Sequence, residues 1–254
     1  MIDTHCHLDL SVFDRDRVNV LQTAFDMGIT DIILPSISYS NWSAIKQLTT
    51  LISPINLHAS YGLHPMFIKS HQEGDINSLK AWLEIEAPIA VGECGLDFFI
   101  KDHDKERQLE FFEVQVQLAC EFELPLVIHA RKSLDIILKI IRKYPVSHGV
   151  IHSFSGSEQQ ARQLIDLDFY LGFGGPVTYP RAKKLRRLVS QLPLERLLLE
   201  TDAPDQPDAN HRGLRNEPAW LINVAETFAE LRQDSLENIV RITTLNAKEL
   251  FSLK

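Results

Sequence analysis

The sequence lacks the features that mark several large classes of protein. It has only three cysteines in 254 residues, and a small odd number argues against a disulfide framework and favours a reducing compartment. It has no run of about 20 apolar residues that could span a membrane. It begins MIDTHCHLDL, without a basic or apolar leader. We therefore expect a cytoplasmic protein with no membrane association.

Basic charge is also scarce. The chain has 26 Lys and Arg against 34 Asp and Glu, a formal net charge of −8, which excludes a broad basic surface that grips duplex DNA by its phosphates. The one dense basic run comprises Arg181, Lys183, Lys184, Arg186 and Arg187. Leu185 lies within this run and Leu188 and Val189 follow it, so we interpret it first as the solvated face of an amphipathic helix rather than as a nucleic-acid site.

What the chain does contain is an alternation of short apolar runs and longer amphipathic segments. The predicted strands are residues 1–5, 31–36, 56–63, 87–93, 125–129, 149–152, 169–173 and 196–201. Several are rich in Ile, Val and Leu without polar alternation, as is typical of strands buried on both faces. The predicted helices are residues 14–27, 41–51, 105–122, 134–143, 158–164, 181–192, 218–231 and 236–251.

This order predicts an α/β protein with parallel strands joined by right-handed crossovers. Eight such units in about 250 residues favour a single (β/α)8 TIM barrel, and the last helix would be an extra C-terminal one. We predict one domain over residues 1–254. The rival is an open doubly wound sheet, but the glycine-rich run at 172–175 lacks the dinucleotide-binding spacing.

Metal-compatible side chains occur at the predicted carboxyl ends of five strands. They are His5, His7, Glu93, His129, His152 and Asp202. In a barrel these ends meet on the face where active sites are built. A single histidine at a strand end is more often structural. Six such groups converging on one pocket need a physical reason, and we predict a metal site.

We predict two divalent metal ions in this site, and Zn, Mn and Mg all remain open. The first ion would be held by His5, His7 and Asp202, and the second by His129 and His152. Two neighbouring cations repel each other, so Glu93 is predicted to bridge them. A water between the metals would be the nucleophile, and Asp202 would orient or deprotonate it.

Seven motifs in this chain match a known family in the family's own order. They are DTHCHLD (3–9), YGLHP (61–65), GECGLDF (92–98), IHAR (128–131), HSFSG (152–156), ETDAP (200–204) and RNEP (215–218). The spaced Gln108, Phe112 and Gln115 match as well. Nearly end to end, the chain resembles the TatD-type metal-dependent deoxyribonucleases, a branch of the amidohydrolase-like barrels.

The resemblance implies the same ligand set and places His64 in the active site without making it a primary ligand. His64 would contact a substrate phosphate or the leaving group. Arg131 is a second candidate for the phosphate oxygens, with a salt bridge at a helix start as its alternative. Family members often carry Tyr after the GLD triplet, where this chain has Phe98 and Phe99, and this difference bears on the substrate.

The remaining histidines are interpreted as structural. His58 has no motif around it, and His71, His103, His148 and His211 are predicted to be surface or loop residues.

Three functions remain open at this point. The first is a phosphodiesterase of the 3′–5′ exonuclease type, acting on single-stranded nucleic acid ends or a small phosphodiester. The second is an amide, ester or lactone hydrolase acting on a small molecule or an aminoacyl ester. The third is a non-catalytic metal-binding barrel, which would have a closed coordination shell. No obligate protein partner is indicated.

Overall fold

Strands and helices alternate along the chain. The structure is a computed structural model that describes residues 1–101, 104–146 and 148–254. The strands are β1 (Ile2–Asp3), β2 (Asp31–Pro35), β3 (Asn56–Tyr61), β4 (Ala90–Asp97), β5 (Leu126–Arg131), β6 (Gly149–Ile151), β7 (Phe169–Phe173) and β8 (Leu197–Leu199). They form one eight-stranded sheet in chain order. The predicted fold class, a (β/α)8 barrel with an extra C-terminal helix, is confirmed.

The helices lie between the strands and after the last one. They are α1 (Arg17–Asp26), α2 (Trp42–Thr49), α3 (Gly74–Glu86), α4 (Lys105–Glu121), α5 (Leu134–Lys143), α6 (Glu158–Ile165), α7 (Lys183–Gln191), α8 (Leu221–Arg232) and α9 (Leu236–Phe251). Helix α3 was not predicted from the sequence. In the described residues, no helix is both long and apolar enough to cross a membrane.

The chain divides into two compact units. Unit 1 comprises Met1–Leu34, Gln47–His58 and Leu171–Lys254, and unit 2 comprises Pro35–Lys46 and Ala59–Tyr170. The single domain over residues 1–254 stays a prediction.

Unit 1 holds the two ends of the sheet. Strand β1 pairs in parallel with β2, and β7 pairs in parallel with β8. The chain beyond β1 also runs along β8, because the amide of Thr4 donates to the carbonyl of Leu199 at 3.1 Å. Helix α9 is fixed to the start of β8 by Asn246, whose buried amide donates to the carbonyls of Leu194 and Leu197. β1 therefore lies between β2 and β8.

Unit 2 is built around β4, which pairs in parallel with β3 and β5. The register of β4 on β5 shifts between Val91 and Cys94. Gly92 and Gly95 have φ angles of +154° and +131°, and a Cβ at either would collide with the backbone of β5. Both positions therefore require glycine, because only a glycine adopts this conformation without strain.

Two strands end later in the structure than the sequence predicted. Strand β4 continues past Glu93 to Asp97, and β5 continues past His129 to Arg131. Glu93 and His129 therefore lie inside their strands rather than at the ends. The glycines on either side of Glu93 resemble strand terminators in the sequence, but here they allow the strand to bend and continue.

Helix α7 carries most of the basic run. Leu188 and Val189 are its buried residues, and Arg186 pairs with Glu230 on α8 at 3.1 Å. The amphipathic helix expected for this segment is therefore present.

Candidate metal centre

The first group of metal-compatible side chains lies in unit 1 and comprises His5, His7 and Asp202, here called the HxH cluster. The Nε2 atoms of His5 and His7 are 3.3 Å apart. They lie 3.6 and 3.5 Å from Oδ1 of Asp202. The two rings converge, as their i, i+2 spacing predicted. His5 is fully buried and His7 is nearly so, so these three atoms can face a cation with little competing water.

The backbone brings this cluster together. The amide of Asp202 donates to the carbonyl of His5, and the amide of His7 donates to that of Ala203, both at 2.8 Å. The two segments therefore continue the pairing of β1 with β8 beyond the regular strands. Cys6, between the two histidines, is fully buried, and its Sγ lies 3.8 Å from the carbonyl oxygen of Ala203.

The buried carboxylate of Asp3 forms hydrogen bonds with both of these segments. Its Oδ1 accepts the amides of His5 and Thr201, and its Oδ2 accepts the Thr201 hydroxyl at 2.6 Å. Burial raises the pKa of Asp3 to about 7, although the hydrogen bonds from Thr201 and His5 act in the opposite direction. Asp3 lies in the DTHCHLD motif, but its supporting role was not predicted.

Asp202 is held in a conformation that few side chains adopt. Its φ is +58°, a left-handed region in which aspartate and asparagine are tolerated better than most residues. The amide group of Asn216 donates to the carbonyls of Thr201 and Asp205, each at 2.8 Å, so it ties the backbone on both sides of Asp202. Gln206 donates to the Oδ2 of Asp202. Asn216 belongs to the RNEP motif, and its role was missed because it acts through distant backbone atoms.

The second group lies in unit 2 and comprises His64, Glu93, His129 and His152, here called the Glu93 cluster. Oε1 of Glu93 is 3.1 Å from Nε2 of His64, 3.2 Å from Nδ1 of His129 and 3.8 Å from Nε2 of His152. All four residues are buried. The ligand atoms of His64, Glu93 and His129 lie within 4.8 Å of one another, a spacing that could hold a metal ion.

The hydrogen bonds of His64 indicate which of its nitrogens carries the proton. Its Nδ1 accepts the backbone amide of Met66 at 3.0 Å. A neutral ring with Nδ1 as acceptor carries its hydrogen on Nε2, so Nε2 donates towards Glu93. A protonated Nε2 has no lone pair for a metal. The role of His64 as an active-site residue that is not a primary ligand stays a prediction.

His129 is oriented by a second carboxylate that the sequence did not single out. Its Nε2 lies 3.1 Å from Oδ2 of Asp97, opposite the nitrogen that faces Glu93. Burial acts to lower the pKa of His129, but the hydrogen bonds to Asp97 and Glu93 outweigh burial and raise it. Metal-binding histidines commonly give their other ring N–H to a carboxylate in this way. The GLD motif contained Asp97, yet no signal in it assigned this contact.

Helix α4 supports the Glu93 cluster through two buried glutamines. Gln115 accepts the amide of Leu63 at 2.7 Å and donates to its carbonyl at 3.1 Å, directly before His64. Gln108 makes the same pair of bonds to the backbone of Asp97. Because Gln108 and Gln115 are seven residues apart, they lie on one face of the helix.

The other predicted residues fall outside these clusters. His58 pairs with Asp31 at 2.9 Å, in keeping with a structural role. His71 lies in a loop, in keeping with the prediction of a surface or loop residue, and it is buried there, 2% exposed, with its Nε2 2.9 Å from the carbonyl oxygen of His64. His148 and His211 are half-buried, and His103 lies outside the described residues. The Arg131 side chain is 45% exposed and lies 3.7 Å from Asp97.

Clusters of imidazole and carboxylate groups on a (β/α)8 fold are typical of metal-dependent hydrolases, in which a cation activates water. The comparisons agree with this class. The family model described as "TatD related DNase" matches residues 2–252. The uncharacterized metal-dependent hydrolase YjjV of Escherichia coli K12 is 37% identical, covering 99% of this chain and 98% of YjjV. YabD of Bacillus subtilis 168, with the same description, is 34% identical and covers 100% and 99%.

Comparison with solved structures indicates the same family. The crystal structure of YjjV, a TatD homologue, matches with a TM-score of 0.95 at 36% identity, covering 100% of this chain and 98% of that one. A TatD family hydrolase from Entamoeba histolytica shares the fold, with a TM-score of 0.89 at 24% identity over 100% and 98% of the two chains. The chain belongs to the TatD family of metal-dependent hydrolases. The roles of its individual site residues stay predictions.

Proposed function

We propose that the chain is a phosphodiesterase that removes nucleotides from the 3′ ends of single-stranded DNA or RNA with the help of two divalent metal ions. The observation that carries the proposal is the presence of buried metal-compatible atoms in both units, in the HxH cluster and in the Glu93 cluster. The family match, described as a DNase, supports the substrate class.

The donor sets of both clusters fit divalent metals. In the HxH cluster, two imidazole nitrogens and one carboxylate oxygen lie within 3.6 Å of each other. In the Glu93 cluster, a buried carboxylate oxygen lies among the ring nitrogens of His129 and His152. Mixed nitrogen and oxygen donors suit Zn or Mn, and carboxylates and waters suit Mg. We propose one ion in each cluster.

The protein's own groups have distinct tasks in this scheme. Bound metals would lower the pKa of a water and stabilise the charge that develops on the phosphate. Asp202, held by Gln206 and by its left-handed backbone, would accept the proton of the attacking water. His64, with its hydrogen on Nε2, would donate to a non-bridging phosphate oxygen. Asp97 would keep the ring of His129 in position.

A second candidate is hydrolysis of a carbonyl ester, amide or lactone. The acidic net charge of −8 favours it, since a neutral small molecule is not repelled by the protein. The same activated water attacks a carbonyl carbon as well as phosphorus.

The two candidates are separated by a substrate screen on the metal-free and the metal-reconstituted protein. We expect release of 3′ nucleotides from single-stranded oligonucleotides, lost on chelation, and no comparable turnover of chromogenic carboxylic esters or lactones. Turnover of the esters alone would favour the second candidate.

Two conservative variants test the clusters themselves. We expect Glu93→Gln and Asp202→Asn to stay folded and to lower kcat by a factor of about 100 or more, since each removes a charge that holds or activates the nucleophile. Glu158→Gln is the matched control, because Glu158 is an exposed carboxylate paired with Arg162 on α6. Normal activity in a folded, metal-loaded Glu93→Gln protein would refute the site.

A further inference from the structure

An exposed aromatic ring lies beside the Glu93 cluster with two cations against it. Phe99 is 54% exposed, one of the large apolar side chains most open to water in unit 2. The guanidinium carbon of Arg131 is 4.2 Å from the centre of its ring, and Nζ of Lys132 is 4.7 Å from it. We call these three residues the Phe99 platform.

The platform is connected to the Glu93 cluster by short contacts. The amide of Phe99 donates to Oδ1 of Asp97 at 2.9 Å, and Oδ2 of the same carboxylate contacts His129. Arg131 follows His129 by two residues on β5, and its guanidinium approaches Asp97 at 3.7 Å. The backbone carbonyl of Arg131 accepts the amide of Phe98 at 2.9 Å. The platform is therefore fixed at the ends of β4 and β5, immediately beyond the predicted metal ligand.

A simple cation–π surface cluster does not account for this arrangement. Such contacts stabilise an exposed ring by less than burial of a phenylalanine side chain does. The ring stays more than half exposed although both cations are in contact range, so a further flat group has room against it. Lys132 also has a left-handed φ of +54°, an unusual conformation for a lysine.

The chemistry of the platform matches one end of a nucleic acid strand. Aromatic rings with nearby cations bind single strands by stacking on a base and pairing with the phosphates. In a chain of net charge −8, two cations beside one exposed ring make a local positive site. Lys105, whose Nζ lies 5.1 Å from the ring centre of Phe98, adds a third positive charge on the preceding residue.

We propose that the Phe99 platform is a nucleotide subsite, in which Phe99 stacks on a base of a single strand while Arg131 and Lys132 bind the adjacent phosphate. This inference rests on the proposed function, and it names the group that positions the strand beside the metals.

The test is equilibrium binding of a fluorescein-labelled hexathymidylate with phosphorothioate linkages, followed by anisotropy with the metal-loaded protein. We expect Phe99→Ala to weaken binding at least about fivefold, because one stacked base contributes about 1–3 kcal/mol. Phe99→Trp should bind as tightly as the unchanged protein or more tightly. Phe25→Ala is the matched control, because Phe25 is an exposed phenylalanine on α1 and should leave binding unchanged.

A second probe separates stacking from damage to the fold. A labelled abasic oligomer of the same length and charge should bind Phe99→Ala and the unchanged protein equally. Lys132→Asn removes a cation and suits the left-handed backbone, so it should weaken both probes, whereas Lys139→Gln on α5 should weaken neither.

Binding of both probes by Phe99→Ala within twofold of the unchanged protein would overturn the platform, as would no binding of hexathymidylate by the unchanged protein. An equal loss for both probes in Phe99→Ala would also overturn it, by showing a disturbed site. These outcomes are independent of the proposed activity. If oligonucleotides are hydrolysed but their binding does not depend on Phe99, the proposed phosphodiesterase activity stands and the platform is refuted. If binding depends on Phe99 but no oligonucleotide is hydrolysed, only the phosphodiesterase activity is refuted.

Discussion

At the scale of single residues, the Asp97 carboxylate holds the ring of His129 from the side opposite Glu93. The Asp97 carboxylate contacts Nε2 of His129, the amide of Phe99 and the guanidinium of Arg131. Burial acts to raise the pKa of Asp97, but the hydrogen bonds from His129 and Phe99 outweigh burial and lower it. Asp97 is therefore charged at neutral pH and can hold the ring with its other nitrogen towards the cluster.

This gives a prediction for Asp97→Asn. Asparagine keeps an oxygen for the amide of Phe99 but loses the charge opposite His129, so we expect metal affinity to fall about 10–100-fold. Titration of the apoprotein with Zn or Mn, followed by calorimetry, measures this directly. Asp104→Asn is the control, because Asp104 caps α4 through Arg107 and asparagine caps equally well. Unchanged affinity in Asp97→Asn would show that His129 needs no such support.

A second residue, His71, is predicted to make the fold sensitive to acid. Burial lowers the pKa of His71 below its usual 6.5, although its bond to the His64 carbonyl acts in the opposite direction. The unfolded chain therefore takes up a proton at this site near pH 6.5 while the folded chain does not. The free energy of unfolding falls as the pH drops from there towards the lower folded pKa.

We expect His71→Asn to lose less stability than the unchanged protein between about pH 7.5 and about pH 5, because asparagine takes up no proton. Urea midpoints at the two pH values measure the difference. His148→Asn, in a half-buried position, controls for the loss of an imidazole elsewhere. If His71→Asn and the unchanged protein lose the same stability in acid, His71 is not the source of the sensitivity.

At the scale of elements, helix α4 determines where the chain leaves β3. Gln115 is fully buried and bonds to both backbone groups of Leu63. Gln115→Leu fills the same space but leaves that amide and carbonyl without these partners. We expect a loss of about 2–4 kcal/mol in the free energy of unfolding, since each unsatisfied buried group costs about 1–3 kcal/mol.

The same variant should lower activity, because His64 directly follows Leu63. Denaturant unfolding and steady-state kinetics measure the two effects. Gln117→Leu on the exposed face of α4 is the matched control and should change stability by no more than about 0.5 kcal/mol. Equal stabilities of the two variants would exclude a role for Gln115 in fixing this backbone.

The elements also show what the sequence can and cannot predict. The bounds of α5, residues 134–143, were predicted as observed, because its apolar residues recur at helical spacing. Helix α3 was missed: it begins at Gly74 without a side-chain cap and buries only Leu79 and Leu83, so neither its start nor its apolar stripe is strong. The end of β4 was misplaced because a glycine at a strand bend has the same sequence signal as a glycine at a strand end.

At the scale of the whole molecule, the sequence predicted which metal-compatible residues gather but not what supports them. His5 and His7 could be paired in advance because their spacing alone directs both rings to one side. The roles of Asn216, Gln115 and Asp3 could not be predicted. Each acts through backbone atoms that lie far away in sequence or outside any regular pattern. Motifs identify such residues as shared within a family, whereas only coordinates show what they bond to.

The last prediction concerns the stability of the whole chain with and without metal. The HxH cluster and the Glu93 cluster each bring imidazoles and a carboxylate together out of water, which only the folded chain does. A metal that binds the folded chain alone stabilises it by about 2.7 kcal/mol at 100 times its dissociation constant. We therefore expect chelation to lower the melting temperature reversibly, with recovery on adding back Zn or Mn, as scanning calorimetry would show.

Asp202→Asn makes this test specific. It weakens only the HxH cluster, so chelation should lower its melting temperature by less than that of the unchanged protein while still having an effect through the Glu93 cluster. If chelation leaves the melting temperature of the unchanged protein where it was, then neither cluster holds an ion in the folded state. The positive charge that an acidic chain needs in order to attack a phosphodiester would then have to come from side chains such as Arg131, whose guanidinium lies 3.7 Å from Asp97.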